Sequence, residues 1–201
     1  CWGYRGAAFR APAPIPEMPP LASVSSFAGE VCGVAKDRTV HCLQRTLPTG
    51  FEETKEAGWG TVDQLAVGAL HACAIDLRRK ILCRGADLWG STGARRVKNT
   101  FAPIAEVEAF GTVKDTARLF AGGMATCVLQ DDSLRCIGDN EFGELGNGEL
   151  SSFVAPFRVP DIHRAQRVVT VDSATCALTD KRVSCWGVGR GLRPEAPGWA
   201  A

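Results

Sequence analysis

Cysteine, histidine, tyrosine and a glycine-rich acidic loop are the places where this 201-residue chain could do chemistry. Its nine cysteines could hold zinc, attack a substrate or pair as disulfides. Eight of them fall into four pairs: Cys32 and Cys42, Cys73 and Cys83, Cys127 and Cys136, Cys176 and Cys185. The separations are 10, 10, 9 and 9. Zinc sites bring cysteines about two to four residues apart, and none of these pairs is so spaced. A nucleophilic cysteine needs an activating histidine. The three histidines, His41, His71 and His163, fall at unrelated repeat positions and read as surface or pocket-edge residues. A propeller hydrolase of the sialidase kind would use a tyrosine nucleophile, and Tyr4 sits at a fragmentary end. No Ser-x-Asp-x-Gly-x-x-Trp box accompanies it. The acidic loop from Asp139 to Glu149 fails the calcium pattern, because Glu141 and Gly143 hold its third and fifth positions. No catalytic residue, metal or cofactor is assigned, and the function expected is not enzymatic.

The elements that position these residues are repeats. The second cysteines, with Cys1 added, fall at 1, 42, 83, 136 and 185, in steps of 41, 41, 53 and 49. A period of about 40 to 50 residues belongs to propellers and related arrays. Within each unit an aliphatic residue stands two before the second cysteine: Val40, Ile81, Leu134 and Val183. Opposing Cys176 to Cys185 makes Ala177 face Ser184, Leu178 face Val183 and Thr179 face Arg182. Asp180-Lys181 is left as a two-residue turn, a common hairpin connection. Facing residues at a non-hydrogen-bonded site lie about 4.5 Å apart, within disulfide reach. The 10-residue separations fit the same hairpin with a three-residue tip. Ile75, Ile81, Leu129, Leu134, Leu178 and Val183 are expected to pack between units. Proline-bearing tails such as Phe157-Arg-Val-Pro160 suit an edge strand. About four short strands per unit make one propeller blade. Little helix is expected; Phe51 to Ala57 is the best short candidate.

Composition excludes other classes. A net charge of +1 gives no footprint for nucleic acid or an anionic membrane. Arg78-Arg79-Lys80 and Arg95-Arg96 read as solvated turn faces. No run of about 18 apolar residues could span a bilayer. Nine cysteines exceed what a cytosolic domain of this size carries.

The third unit is the most complete: Gly122-Gly-Met-Ala-Thr-Cys127-Val-Leu, a hairpin tip, Leu134-Arg-Cys136-Ile-Gly138, then Asp-Asn140-Glu-Phe-Gly143-Glu-Leu145-Gly146. The fourth keeps Cys185-Trp186-Gly187. Together these resemble the regulator of chromosome condensation repeat, most closely its disulfide-bearing bacterial form. The family's loop is Trp-Gly-x-Asn-x-x-Gly-Gln-Leu-Gly; here Ile137 replaces the tryptophan and Glu144 the glutamine. Gly138, Asn140, Gly143, Leu145 and Gly146 match it. The resemblance covers almost the whole chain. It implies a ring of about seven blades, and it puts an ordinary polar residue at His71.

The expected fold is therefore all-β, a single partial propeller over residues 1–201. About four four-stranded blades follow an N-terminal half-blade, as an open arc rather than a closed ring. The units run over about 1–20, 21–63, 64–115, 116–164 and 165–201. The cysteine pairs staple hairpins. Cys1-Trp2-Gly3 repeats Cys185-Trp186-Gly187, so Cys1 is expected to be a free thiol from a hairpin whose first half is missing. Paired cysteines imply an extracellular, periplasmic or cell-surface location. The expected function is a protein-binding scaffold, with a structural segment of a larger secreted repeat protein as the alternative. Its partners are expected to be protein, with missing blades of a longer parent or a second copy at the open ends. Neither nucleic acid nor membrane insertion is expected.

Overall fold

The computed structural model describes residues 3–5, 8–10, 18–27, 30–46, 50–55, 57–87, 90–93, 101–150, 153–171, 173–180, 182–187 and 191–195. Cys1, the Arg95-Arg96 cluster and Trp199 lie outside these residues.

Every described strand sits in an antiparallel meander. A two-stranded piece, β1 (Gly3–Arg5) and β2 (Ala8–Arg10), comes first. Four four-stranded sheets follow. The first contains β3 (Leu21–Phe27), β4 (Glu30–Ala35), β5 (Val40–Thr46) and β6 (Gly50–Lys55). The second contains β7 (Val62–Val67), β8 (His71–Asp76), β9 (Ile81–Ala86) and β10 (Phe101–Glu106). The third contains β11 (Arg118–Gly122), β12 (Ala125–Gln130), β13 (Ser133–Gly138) and β14 (Phe153–Arg158). The fourth contains β15 (Ala165–Val171), β16 (Ala174–Thr179), β17 (Arg182–Gly187) and β18 (Gly191–Glu195). Each sheet is one blade of a partial, open propeller. The fourth strand is always an edge, and there Pro156 needs no ladder partner for its missing N–H. Phe51 to Lys55 is strand rather than helix, paired from Arg45↔Phe51 to His41↔Lys55. The available partner strand overrides local helix propensity. Among the described residues, helix is confined to the short 3-10 turns Ala57–Trp59 and Glu108–Phe110.

Register repeats from blade to blade. Each cysteine pair faces itself across the two central strands, with Cα atoms 4.0–4.1 Å apart, and each is joined as a disulfide. Arg38 (φ 68°) and Arg79 (φ 63°) close the three-residue tips of the first two hairpins in the left-handed region. Asp131 and Asp132, both with positive φ, make the two-residue tip of the third. The glycine that ends the central hairpin recurs in the last three blades, whereas the first has Gln44 there. A Cβ on Gly138 (φ 122°) would lie 2.2 Å from the Met124 carbonyl oxygen, and Gly85 and Gly187 are crowded alike. That same oxygen accepts the Asp139 N–H at 3.0 Å. Gly138→Ala is therefore expected to cost at least about 1–3 kcal/mol of unfolding free energy in strain. Denaturant titration checks this; an unchanged midpoint would contradict it.

Strand alternation gives each blade two faces, and blades pack face to face. The face bearing the cysteines meets the next blade. Cys73, Ile75, Ile81 and Cys83 pack on Leu119, Val128 and Ile137 of the third blade. Cys127, Leu129, Leu134 and Cys136 pack on Val168, Ala177 and Trp186 of the fourth. The middle blades are thus covered on both sides, and all of β8 is buried. Ile75, Ile81, Leu129 and Leu134 are core, as their spacing implies. Val183 is not: it is 43% exposed, and Leu178 is half-buried. Both lie on the cysteine face of the fourth blade, over which no described blade packs.

Polar side chains also join the blades. Gln64 donates to the Ala117 carbonyl at 2.7 Å and accepts the Leu119 N–H at 3.0 Å, spanning the second and third blades. Hairpin tips carry ion pairs rather than only solvated charge. Asp63 binds Arg38 and Arg79, and Arg79 reaches Asp115 at 2.6 Å. Burial works against the charge on Asp63, yet the hydrogen bonds and charges of Arg79 and Arg38 hold its carboxyl below the usual range. Of the Arg78-Arg79-Lys80 cluster only Arg78 is largely solvated; Lys80 pairs with Glu106.

Candidate functional site

The loop from Gly138 to Leu150 leaves the centre of the third blade and has no regular strand of its own. Asp139 and Asn140 turn their hydrogen bonds inward, while among the described residues Asn147 Nδ2 is buried without a partner. Asn140 is fully buried; its Nδ2 donates to Asn147 Oδ1 and to the Glu149 carbonyl, both at 2.9 Å. Its Oδ1 accepts the Leu145 N–H at 2.9 Å. Asp139 Oδ1 accepts the N–H groups of Asn140 and Glu141. Leu145 is buried in the core between the third and fourth blades. Gly143 (φ 80°) and Gly146 (φ 69°) make the bends. Gly146 also gives way to Trp186 of the next blade, whose Nε1 would lie 2.6 Å from a Cβ there. The same indole N–H donates to the Glu144 carbonyl at 2.8 Å. The five motif residues thus come together in one loop, locked to the neighbouring blade.

Glu144 Oε2 accepts the Phe142 N–H at 3.0 Å. Burial raises the Glu144 carboxyl above its ordinary value; the hydrogen bonds oppose this, and Asp139 and Glu141 add to it. What faces solvent is a short set: Glu141, Phe142, Glu149 and Leu150, with Phe142 48% and Leu150 57% exposed. An exposed aromatic ring beside an exposed carboxylate can fill an apolar pocket and attract basic groups.

The histidines divide. His163 is exposed and His41 half-buried. His71, expected at a surface or pocket edge, is completely buried between the second and third blades. Its Nε2 lies 2.9 Å from Thr126 Oγ1, and that hydroxyl donates to the Ser91 carbonyl at 2.8 Å. The hydroxyl therefore accepts from Nε2–H, a bond that either protonation state of the ring can make. Burial depresses its pKa from 6.5 to about 4, against a weaker opposing pull from the Ala125 backbone. Cys73 stands nearby but is bonded to Cys83, so it offers no thiolate. Likewise Glu30 lies within 4.8 Å of Cys32 and Cys42, whose sulfurs are bonded to each other and do not suit a metal.

A buried neutral histidine makes stability depend on pH. The unfolded chain binds this proton near pH 6.5, the folded chain only near 4. Stability is full above pH 6.5, falls toward pH 4 and levels off below, by about 3 kcal/mol for this group. Urea titrations across that window should show His71→Gln losing about that much less than the parent. Parallel curves would contradict the assignment.

Sequence reasoning placed the loop but missed its lock. Trp186 and Glu144 are 42 residues apart, and no local pattern joins them. Gly68 leaves room for the ring, since a Cβ there would lie 2.2 Å from the imidazole.

No protein-family model matches this sequence, and no curated protein does. Solved structures do resemble it in shape. The structure of Kap60 bound to yeast RCC1 (Prp20) matches with a TM-score of 0.74 at 13% identity, over 92% of this chain and 50% of that one. Prp20p of Saccharomyces cerevisiae, described with its binding to Gsp1p and histones, matches at 0.70 with 13% identity, over 88% and 50%. The ectodomain of the Physcomitrella patens receptor kinase CR4 matches at 0.51 with 21% identity, over 94% and 43%. The chain spans about half the length of these structures or less. The fold is that of the regulator of chromosome condensation repeat propeller.

Proposed function

We propose that this chain, with its regulator of chromosome condensation type of propeller fold, is a non-enzymatic protein-binding scaffold of an extracellular, periplasmic or cell-surface compartment. The observation that carries the reading is the loop of the third blade. The hydrogen bonds of Asn140 and Asp139 hold it in shape, while Phe142 is presented to solvent beside the exposed Glu141. A preorganised aromatic anchor loses little entropy on binding. Three things support the wider reading. The yeast protein of this fold, Prp20, binds other proteins. The CR4 match is an ectodomain. Four disulfides suit an oxidising compartment. Among the described residues no helix is long and apolar enough to cross a membrane.

The test uses a phage-displayed random peptide library selected on the oxidised protein. Enriched peptides are expected to be rich in Lys and Arg beside apolar residues, and to lose at least tenfold in affinity for Phe142→Ala. A library that yields no enrichment, or peptides indifferent to Phe142→Ala, would overturn the assignment of this loop.

A further inference from the structure

The outer strands of the four sheets are not alike. β10, β14 and β18 each carry a proline: Pro103, Pro156 and Pro194. Each also loses register around that proline, between Ala102 and Ala105, between Phe153 and Phe157, and between Gly191 and Glu195. Prolines and bulges keep an open strand edge from pairing with a foreign chain. β6 has neither. It reads Gly50-Phe-Glu-Glu-Thr-Lys55. Its pairing with β5 runs unbroken from Thr46↔Gly50 to His41↔Lys55. Its other side is a sheet edge, along which no described strand pairs. A regular strand of 6 residues presents about 20 Å of edge, with backbone N–H and C=O groups at ladder spacing.

We propose that the outer edge of β6 docks an extended, proline-free, basic segment of another protein, which joins the first sheet as an added antiparallel strand. Charge selects the occupant. Glu52 and Glu53 hold the two central positions of β6. Two copies pairing through β6 in full antiparallel register would set Glu52 opposite Glu53 twice. In-register parallel pairing would set each glutamate opposite its own copy. Like charges directly opposite destabilise a ladder, and opposite charges support it. A second copy is therefore disfavoured at this edge. A strand with lysine or arginine at its two central positions is favoured. In strand addition the main-chain hydrogen bonds supply affinity and the side chains supply selectivity. The proposal is independent of the loop assignment above, because β6 belongs to the first blade and Phe142 to the third.

The test is fluorescence anisotropy with the full oxidised chain and two capped, labelled peptides, Thr-Val-Lys-Lys-Val-Thr and Thr-Val-Glu-Glu-Val-Thr. The basic peptide is expected to bind at least about tenfold tighter than the acidic one. The order should reverse for the double variant Glu52→Lys, Glu53→Lys, checked for native circular dichroism and the disulfides. Glu53→Lys alone is the second variant, and it should abolish the preference. Hydrogen exchange read by mass spectrometry should slow in residues 50–55 when the basic peptide is bound, and not in β10, β14 or β18. Phe142→Ala should leave both readings unchanged, which separates this edge from the loop of the third blade. No binding of the basic peptide at about 1 mM would overturn the proposal. So would a preference that survives the glutamate substitutions, binding that leaves exchange in β6 unaltered, or binding lost in Phe142→Ala.

Discussion

Reducing the four disulfides is expected to unfold this chain without any denaturant. Each bridge closes a loop of about 10 residues, worth roughly 2.7 kcal/mol in the chain-entropy account. All four bridges are local and sit in separate blades, so their effects largely add. The sum is about 11 kcal/mol, against a whole-domain stability of about 5–15 kcal/mol. A blade has no compensating reserve, since a lone four-stranded sheet buries its faces only against neighbours. Cys32, Cys42, Cys73, Cys83, Cys127 and Cys136 are also core atoms, so alkylated thiols would not fit back. Far-UV circular dichroism after reduction and alkylation should lose the strand signal, and no cooperative denaturant transition should remain. A reduced chain that still unfolds cooperatively, within about 2 kcal/mol of the oxidised one, would place the stability in packing instead.

Leu134→Ala is expected to cost about 2–5 kcal/mol. Val183→Ala, at the same register position one blade later, should cost under about 0.5 kcal/mol. Leu134 is fully buried between the third and fourth blades, while Val183 is 43% exposed. Both substitutions remove methyl groups from a strand residue two before a cysteine. Their difference therefore isolates coverage by a following blade from intrinsic strand preference. Urea midpoints of the monomeric chain, at a concentration too low for association, give both values. Equal losses would mean that the blade faces are not stacked in this order.

Much of this was legible because the code is local. Cysteines 9 or 10 apart, with an aliphatic residue two before the second, set the hairpin register that Leu178↔Val183 and Thr179↔Arg182 follow. In three of the four blades the glycine after the tryptophan-type position, Gly85, Gly138 or Gly187, marks a bend where a backbone oxygen crowds out any Cβ. What stayed hidden depends on neighbours. Phe51 to Lys55 has no strong period of its own, and β5 recruits it as an edge strand. Periodicity puts Val183 and Leu134 on the same face, but cannot say that only Leu134 has a blade over it. His71 alternates like any strand residue. Only the third blade, through Thr126, makes its burial tolerable. The loop motif was readable as a motif, while the reason for its Leu145 and Gly146 lies in Trp186 of another blade.

The account rests on one repeat being one stapled blade. Non-reducing peptide mapping tests this most directly. After proteolysis of the oxidised chain at acid pH, where exchange is slow, mass spectrometry should recover four linked peptides. They join Cys32 to Cys42, Cys73 to Cys83, Cys127 to Cys136 and Cys176 to Cys185. A link between cysteines of different repeats, such as Cys42 to Cys73, would contradict the blade assignment and the scaffold built on it.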